Sequence, residues 1–128
     1  MREPVILDVN PDGGALAWEQ NFLERLEVHV ERCGGPSKEG GCPLLIGQPC
    51  GKIAHADGIL FQLDLDRDDH REILKRYAQT LDVPISVVTT REKAERWDEA
   101  VRDVEVVTPP VGPARLDGFV AEVESEID

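Results

Sequence analysis

Positive charge is scarce in this chain. Its 14 Lys and Arg stand against 26 Asp and Glu, for a net charge of −12. Such a field repels phosphate backbones and anionic lipid, so neither nucleic acid nor a membrane surface is an expected partner. The excess is densest at the C-terminus, where Ala114 to Asp128 holds one Arg against five Asp and Glu. Long apolar runs are missing too: none approaches the roughly 20 residues of a membrane-spanning helix. No signal-peptide pattern opens the chain, because Asp8 interrupts the first short apolar stretch. These absences make the cytoplasm the expected location, where disulfides are uncommon. Catalytic signatures are lacking as well. There is no Ser-His-Asp order, no Gly-rich phosphate loop and no HExxH motif, so no enzymatic activity is expected.

What remains is ordinary material for a folded protein. A chain of 128 residues fits one domain and buries roughly two thirds of its unfolded surface. Strand and helix patterns alternate along it. Pro4 to Val9 reads as a first strand and Pro11-Asp12-Gly13-Gly14 as a turn. Ala15 to Leu26 reads as a helix with Ala15, Trp18, Phe22 and Leu26 on one face. Val28 and Val30 mark a second strand, and Gly58 to Asp64 a third. A helix begins near Asp68 or Asp69, where Asp69 and Glu72 resemble a capping box, and buries Ile73, Leu74, Tyr77 and Leu81. Pro84 to Thr89 is a fourth strand; Thr90 is placed to cap a helix with the face Ala94, Trp97 and Val101. Val104 to Val107 is a fifth strand, and Leu116, Phe119, Val120, Val123 and Ile127 mark a last helix at i, i+3, i+4 spacing. Five strands alternating with helices predict an α/β fold with a parallel sheet covered on both faces. No linker or repeat divides residues 1–128, so one domain is expected.

In an open parallel sheet, ligands and chemistry gather at the C-terminal tips of the strands. Here those tips carry Asp8, Asn10, Asp64, Asp66, Thr89, Thr90 and Thr108. The order and length of the elements, with these tips, resemble the receiver domain of two-component response regulators over nearly the whole chain. Receivers open with a strand ending in an acidic pair followed by Pro; Asp8-Val9-Asn10-Pro11 is similar, with Asp8 as the first acid and Val9 in place of the second. Their phosphate-accepting Asp ends strand three. Aligned on Ala56-Asp57 that position falls on Gln62, and a two-residue slip puts Asp64 there. Thr89 matches the Thr or Ser that ends strand four. Thr108-Pro109 stands where receivers have Lys-Pro, so the lysine is missing. The resemblance implies a three-layer αβα, flavodoxin-like fold with a five-stranded parallel sheet in the order 2-1-3-4-5.

Those departures carry chemical weight. Phosphorylation of an aspartate requires Mg²⁺ held by several hard oxygen ligands. Val9 removes one such ligand, Gln62 would remove the acceptor, and Thr108 supplies no cation for the phosphoryl charge. A degenerate pocket, no Mg²⁺ and a non-catalytic module acting by protein contact are therefore expected, with a phosphoacceptor at Asp64 as one alternative. The bland reading of Asp64, Asp66, Asp68 and Asp69 is a solvated loop and helix start, where negative charge suits the helix dipole. With no output domain in view, any effect is expected to pass through another chain.

The segment from Cys33 to His55 is not explained by the resemblance. It is rich in Gly and Pro, stands in place of the second receiver helix, and spaces its ligand-type residues as C-x8-C-x7-C-x4-H. Three readings stay open for Cys33, Cys42, Cys50 and His55: packing of small buried residues, a disulfide or redox pair, and a Zn²⁺ site. The last two make a cysteine-based redox or metal sensor the other alternative. Pro43 suits a first helical position and Gly47 a stop, so a turn there would bring at least two sulfurs together. His29, His70, Tyr77 and the two tryptophans read as structural. Gly13-Gly14 precedes a helix, but Asp12 beside it argues against an anion site. Because receivers commonly pair through their last two helices and strand five, a homodimer or partner surface is expected around Trp97, Val101 and Phe119.

Overall fold

The computed structural model describes residues 3–11 and 13–127, leaving aside the side chains of residues 13–16 and 38. Asp12 and the Ala15 side chain, both used in the sequence reading, thus lie outside the described residues. The strands are β1 (Val5–Val9), β2 (His29–Cys33), β3 (Gly58–Phe61), β4 (Ile85–Val88) and β5 (Glu105–Val107). They form one sheet in the order β2-β1-β3-β4-β5, and every pairing is parallel. The helices between them are α1 (Gly13–Arg25), α2 (Pro36–Glu39), α3 (Gly51–Ala54), α4 (Asp68–Thr80), α5 (Arg91–Arg96) and α6 (Pro113–Ser125). The architecture is the expected three-layer one.

Period-two alternation sorts the strands' side chains between two cores. Ile6, Leu60, Val88 and Val107 face one side, where Leu23 of α1 and Leu116, Phe119, Val120 and Val123 of α6 cover them. Leu7, Val9, Ile59, Phe61, Ile85 and Val87 face the other, under Ile73, Leu74 and Tyr77 of α4 and Leu44 and Ile53 of the segment after β2. The central strands are buried on both faces, as their unbroken Val/Ile/Leu runs require. Gly58 opens β3 directly beneath α6. A Cβ there would stand 2.5 Å from Val123 Cγ2 and 3.1 Å from the Phe119 ring, so only glycine lets α6 sit this close.

Several local expectations are corrected. Strand three stops at Phe61, not Asp64. Leu63 and Leu65 turn inward to the core, while Asp64 accepts the backbone N–H of Asp66 at 3.0 Å and bends the chain away from the sheet. The capping box at Asp69 and Glu72 does not form. Both Asp69 oxygens are engaged by the Arg67 guanidinium, and Glu72 pairs with Arg76. Thr90 does cap α5, accepting from the Lys93 N–H at 3.2 Å. That helix is shorter than its apolar spacing implies: it ends at Arg96, and residues 97–103 continue as turns. Trp18 is not a packing residue. It is 45% exposed and stacks on Phe22, with ring centroids 5.8 Å apart.

The second crossover contains three short helical turns in place of one regular helix. After α2, Pro43–Ile46 forms a 3-10 turn with Pro at its start, closed by Gly47 at φ 74°. A positive φ of that kind is strained for any residue with a Cβ. Proline's fixed φ and glycine's freedom thus define this turn as the sequence implies. Leu44 plugs into the core, whereas Ile46 is left 71% exposed.

Candidate functional site

Asp8 and Gln62 meet at the C-terminal edge of the sheet, on the α1 side. β1 and β3 pair Val9 with Phe61, and the Gln62 N–H continues the ladder to the Val9 carbonyl at 2.8 Å. Side-chain alternation then sends Asp8 and Gln62 to the same face. Gln62 Nε2 donates to Asp8 Oδ1 at 3.0 Å and to Glu19 Oε1 of α1 at 2.8 Å. Asp8 is fully buried and Glu19 nearly so. Burial, the Glu19 carboxyl lying against it and that group's charge push the Asp8 carboxyl up to about 9, against the opposing donation from Gln62. At neutral pH Asp8 is therefore protonated. Its Oδ2 is buried without a hydrogen-bond partner, and the Glu19 carboxyl that raises Asp8 is the acceptor available to it once protonated. Glu19 was missed in the sequence reading. It lies in the amphipathic pattern of α1, one position from Trp18, and nothing local distinguishes it from an exposed helix acid.

The other tip residues are dispersed. Val9 points to the opposite face and is fully buried in its core. Thr89 is buried at the end of β4, its N–H donating to the Val107 carbonyl at 3.0 Å. Thr108 is exposed. Asp64 lies out on the β3–α4 loop and pairs with Lys93 Nζ at 2.7 Å. That contact, then the Asp66 N–H, hold its carboxyl below the usual carboxylate range. Asp66 accepts from the Trp97 indole at 2.8 Å and from Arg96 at 2.7 Å, and both lower it. Arg71 lies 3.6 Å over the Trp97 ring, completing a surface lattice between the loop and α5. His70 is buried, its Nδ1 2.7 Å from the Asp64 carbonyl, while His29 is exposed beside Glu31.

A second constellation lies on the opposite face of the sheet. A cavity of about 750 Å³ opens between the sheet and the segment after β2. Cys33, Cys42 and Cys50 all line it, with Val9, Leu63, Ile73 and the buried Tyr77 as its inner wall. The three cysteines are half-buried free thiols. Burial pushes the Cys33 thiol up; the Gly35 N–H and Lys52 oppose that, while the charges of Glu39 and Cys50 add to it. Tyr77 is raised as well, by burial and then by all three sulfurs. His55 ends α3 exposed and does not line the cavity. Among the described residues no group of three His, Cys, Asp or Glu is arranged to hold a metal ion. The four-ligand set read from spacing is therefore not assembled, because α3 turns His55 away from the sulfurs.

Trp97, Val101 and Phe119 do not share a surface. Val101 and Trp97 pack on the α4 side of the sheet and Phe119 on the α6 side, and Val101 and Phe119 are buried. The apolar contact face expected there is not formed by these residues.

No family model matches the chain, and no curated protein does. Solved structures do match. A response regulator receiver domain protein from Clostridium thermocellum superposes with a TM-score of 0.73 at 17% identity, over 95% of this chain and 94% of that one. A CheY-like receiver domain protein from Methanospirillum hungatei gives 0.67 at 17% identity, over 97% and 96%. A third, described as a novel family of redox sensors in the streptococci evolved from two-component response regulators, gives 0.69 at 15% identity, over 95% of this chain and 52% of that one. The chain has the fold of a response-regulator receiver domain.

Proposed function

We propose that residues 1–128 act as one non-catalytic, pseudo-receiver signalling module that works through protein contact. One observation carries this reading: the amide of Gln62 sits beside Asp8 and donates to both Asp8 and Glu19. A phosphate-accepting aspartate at that point would need an anionic, metal-binding neighbour. Gln62 cannot accept a phosphoryl group as a carboxylate does, and its N–H groups face the oxygens that Mg²⁺ would require. A protonated Asp8 and a core Val9 make the donor set a poor match for Mg²⁺, which prefers several charged or hydrated oxygens. Asp64, the other candidate acceptor, is paired with Lys93 on the loop.

Incubation with acetyl phosphate or beryllofluoride and Mg²⁺ tests this. The expected result is no phosphoryl mass gain and no Mg²⁺-dependent thermal shift. A phosphoryl gain that disappears in Asp64→Asn would restore the phosphoacceptor reading. The contact itself, with a second copy or with another protein, is tested first by sedimentation over a range of concentrations.

A second reading is a cysteine-based sensor on the same fold, and the shared cavity of three thiols favours it. The similarity to a structure described as a streptococcal redox sensor agrees with it at the level of fold. Thiol counting before and after oxidation, with metal analysis of the purified chain, separates redox from metal sensing.

A further inference from the structure

We propose that Cys33 and Cys50 form a reversible disulfide across the mouth of the cavity when the chain meets a hydroperoxide, with Cys42 left as a thiol. This inference rests on the sensor reading and names its pair and its reactant class.

The geometry selects the pair. Lys52 Nζ donates to the Arg32 carbonyl at 2.8 Å and to Glu39 Oε1 at 3.3 Å, while Glu39 Oε2 accepts the Gly34 N–H at 3.1 Å. These three contacts clasp the start of α3 to the end of β2. Cys33 directly follows Arg32, and Cys50 precedes Lys52 by two residues, so the clasp ties together the two stretches of chain that carry these sulfurs. Cys42 belongs to the other arm of the segment, where its carbonyl receives the Leu45 N–H and starts the 3-10 turn. Cys50, and not Cys42, is the sulfur whose charge bears on Cys33.

The chemistry assigns an order. Cys33 is held as a thiol by burial, which suits a resolving partner better than the first nucleophile. Cys50 as thiolate attacks one peroxide oxygen; an S–O bond forms, the O–O bond breaks, and the alcohol or water leaves with a proton. The Cys33 sulfur then attacks the Cys50 sulfenic acid. An S–S bond forms, the S–O bond breaks, and water leaves with the Cys33 proton. Two thiols lose two electrons, and the peroxide takes both. The clasp offers a reason for reversibility: it holds the two residues near one another in the reduced state, so a reducing thiol can open the bond without unfolding the chain.

The test is hydrogen peroxide on the whole chain, followed by alkylation and peptide mapping. The expected result is loss of two hydrogens, one alkylated residue at Cys42 and a Cys33–Cys50 cross-linked peptide that dithiothreitol releases. That cross-link should be absent in Cys33→Ser and Cys50→Ser, with no other disulfide in its place, and its rate of formation should stay within about twofold in Cys42→Ser. Breaking the clasp with Lys52→Met should slow the bond without removing either sulfur. A cross-link that includes Cys42 overturns the pair while leaving the sensor reading intact. Three alkylated thiols after excess peroxide overturn both the pair and the redox form of the sensor reading. The map of the unsubstituted chain decides between these even where a variant fails to fold.

Discussion

Asp8 shows how much one buried carboxyl changes the behaviour of a fold. The unfolded chain ionises it near 3.8 and the folded chain near 9. Between those values the native state holds a proton that the unfolded state releases. Its contribution is therefore fullest below about pH 4 and is lost as pH rises towards about 9. Asp64, Asp66, Asp69 and Glu39 are shifted the other way, so what they contribute is present above about pH 4 and lost as pH falls. From about pH 5 to about pH 8 the Asp8 effect dominates, and urea stability should decline by at least about 1 kcal/mol. Asp8→Asn, which cannot ionise, should flatten that decline; an equally steep slope in the variant would show that Asp8 is not its source. Gln62→Glu should be costly at neutral pH, by about 2–4 kcal/mol, because it removes both donated hydrogen bonds and adds a third carboxyl to the cluster. Urea midpoints measure that as well. The loop pairs around Asp64 and Lys93 are exposed, and Lys93→Ala should cost less than about 1 kcal/mol.

Secondary-structure elements were legible wherever their signals were local. Ile73, Leu74 and Tyr77 mark the buried face of α4, Thr90 caps α5, and Pro43 and Gly47 bound the 3-10 turn. Each depends on neighbours within a few residues. The failures arise where side chains compete for the same partner or where the partner is distant. Arg67 and Arg76, close in sequence, take the acids of the supposed capping box, whereas Asp66 takes the Trp97 indole, from far along the chain, at the point where α5 ends. Two glycines separate the effects of local propensity from those of packing. Gly118→Ala lies in α6 with nothing within 4 Å of the new Cβ, so it should stabilise the protein by about 0.5–1 kcal/mol. Gly58→Ala meets Val123 and Phe119 and should destabilise by about 1–3 kcal/mol as α6 is forced outward. Thermal or urea melts of the two variants should move in opposite directions.

For the whole molecule, two sites on opposite faces of one sheet share a boundary at β1. Asp8 faces the acidic cluster and its neighbour Val9 lines the cysteine cavity. A Cys33–Cys50 bond would close a loop of sixteen residues, worth about 3 kcal/mol on the entropic account. The oxidised chain should accordingly unfold at higher urea than the reduced one, and dithiothreitol should reverse the difference. Salt provides a separate check. Much of the net charge of −12 is exposed, so raising salt should stabilise the fold by screening self-repulsion. It should leave the buried Asp8–Gln62 contact unaffected.

The sequence by itself determined the kinds of element, their order and the layered α/β plan. Period-two and period-3.6 patterns are properties of neighbouring residues, and alternating strands and helices admit few arrangements. The likeness to receivers was visible there too, through Asp8, Pro11, Thr89 and the final helix. Only the tertiary structure decided what those residues meet. It placed Gln62 rather than Asp64 against Asp8, buried Glu19 beside them, exposed Trp18, parted Val101 from Phe119, and gathered three widely spaced cysteines around one cavity without His55. Such contacts depend on where the β1–β3 register ends and which helix lies above it. A carboxyl becomes protonated, or a thiol buried, only through atoms that the chain brings near from tens of residues away.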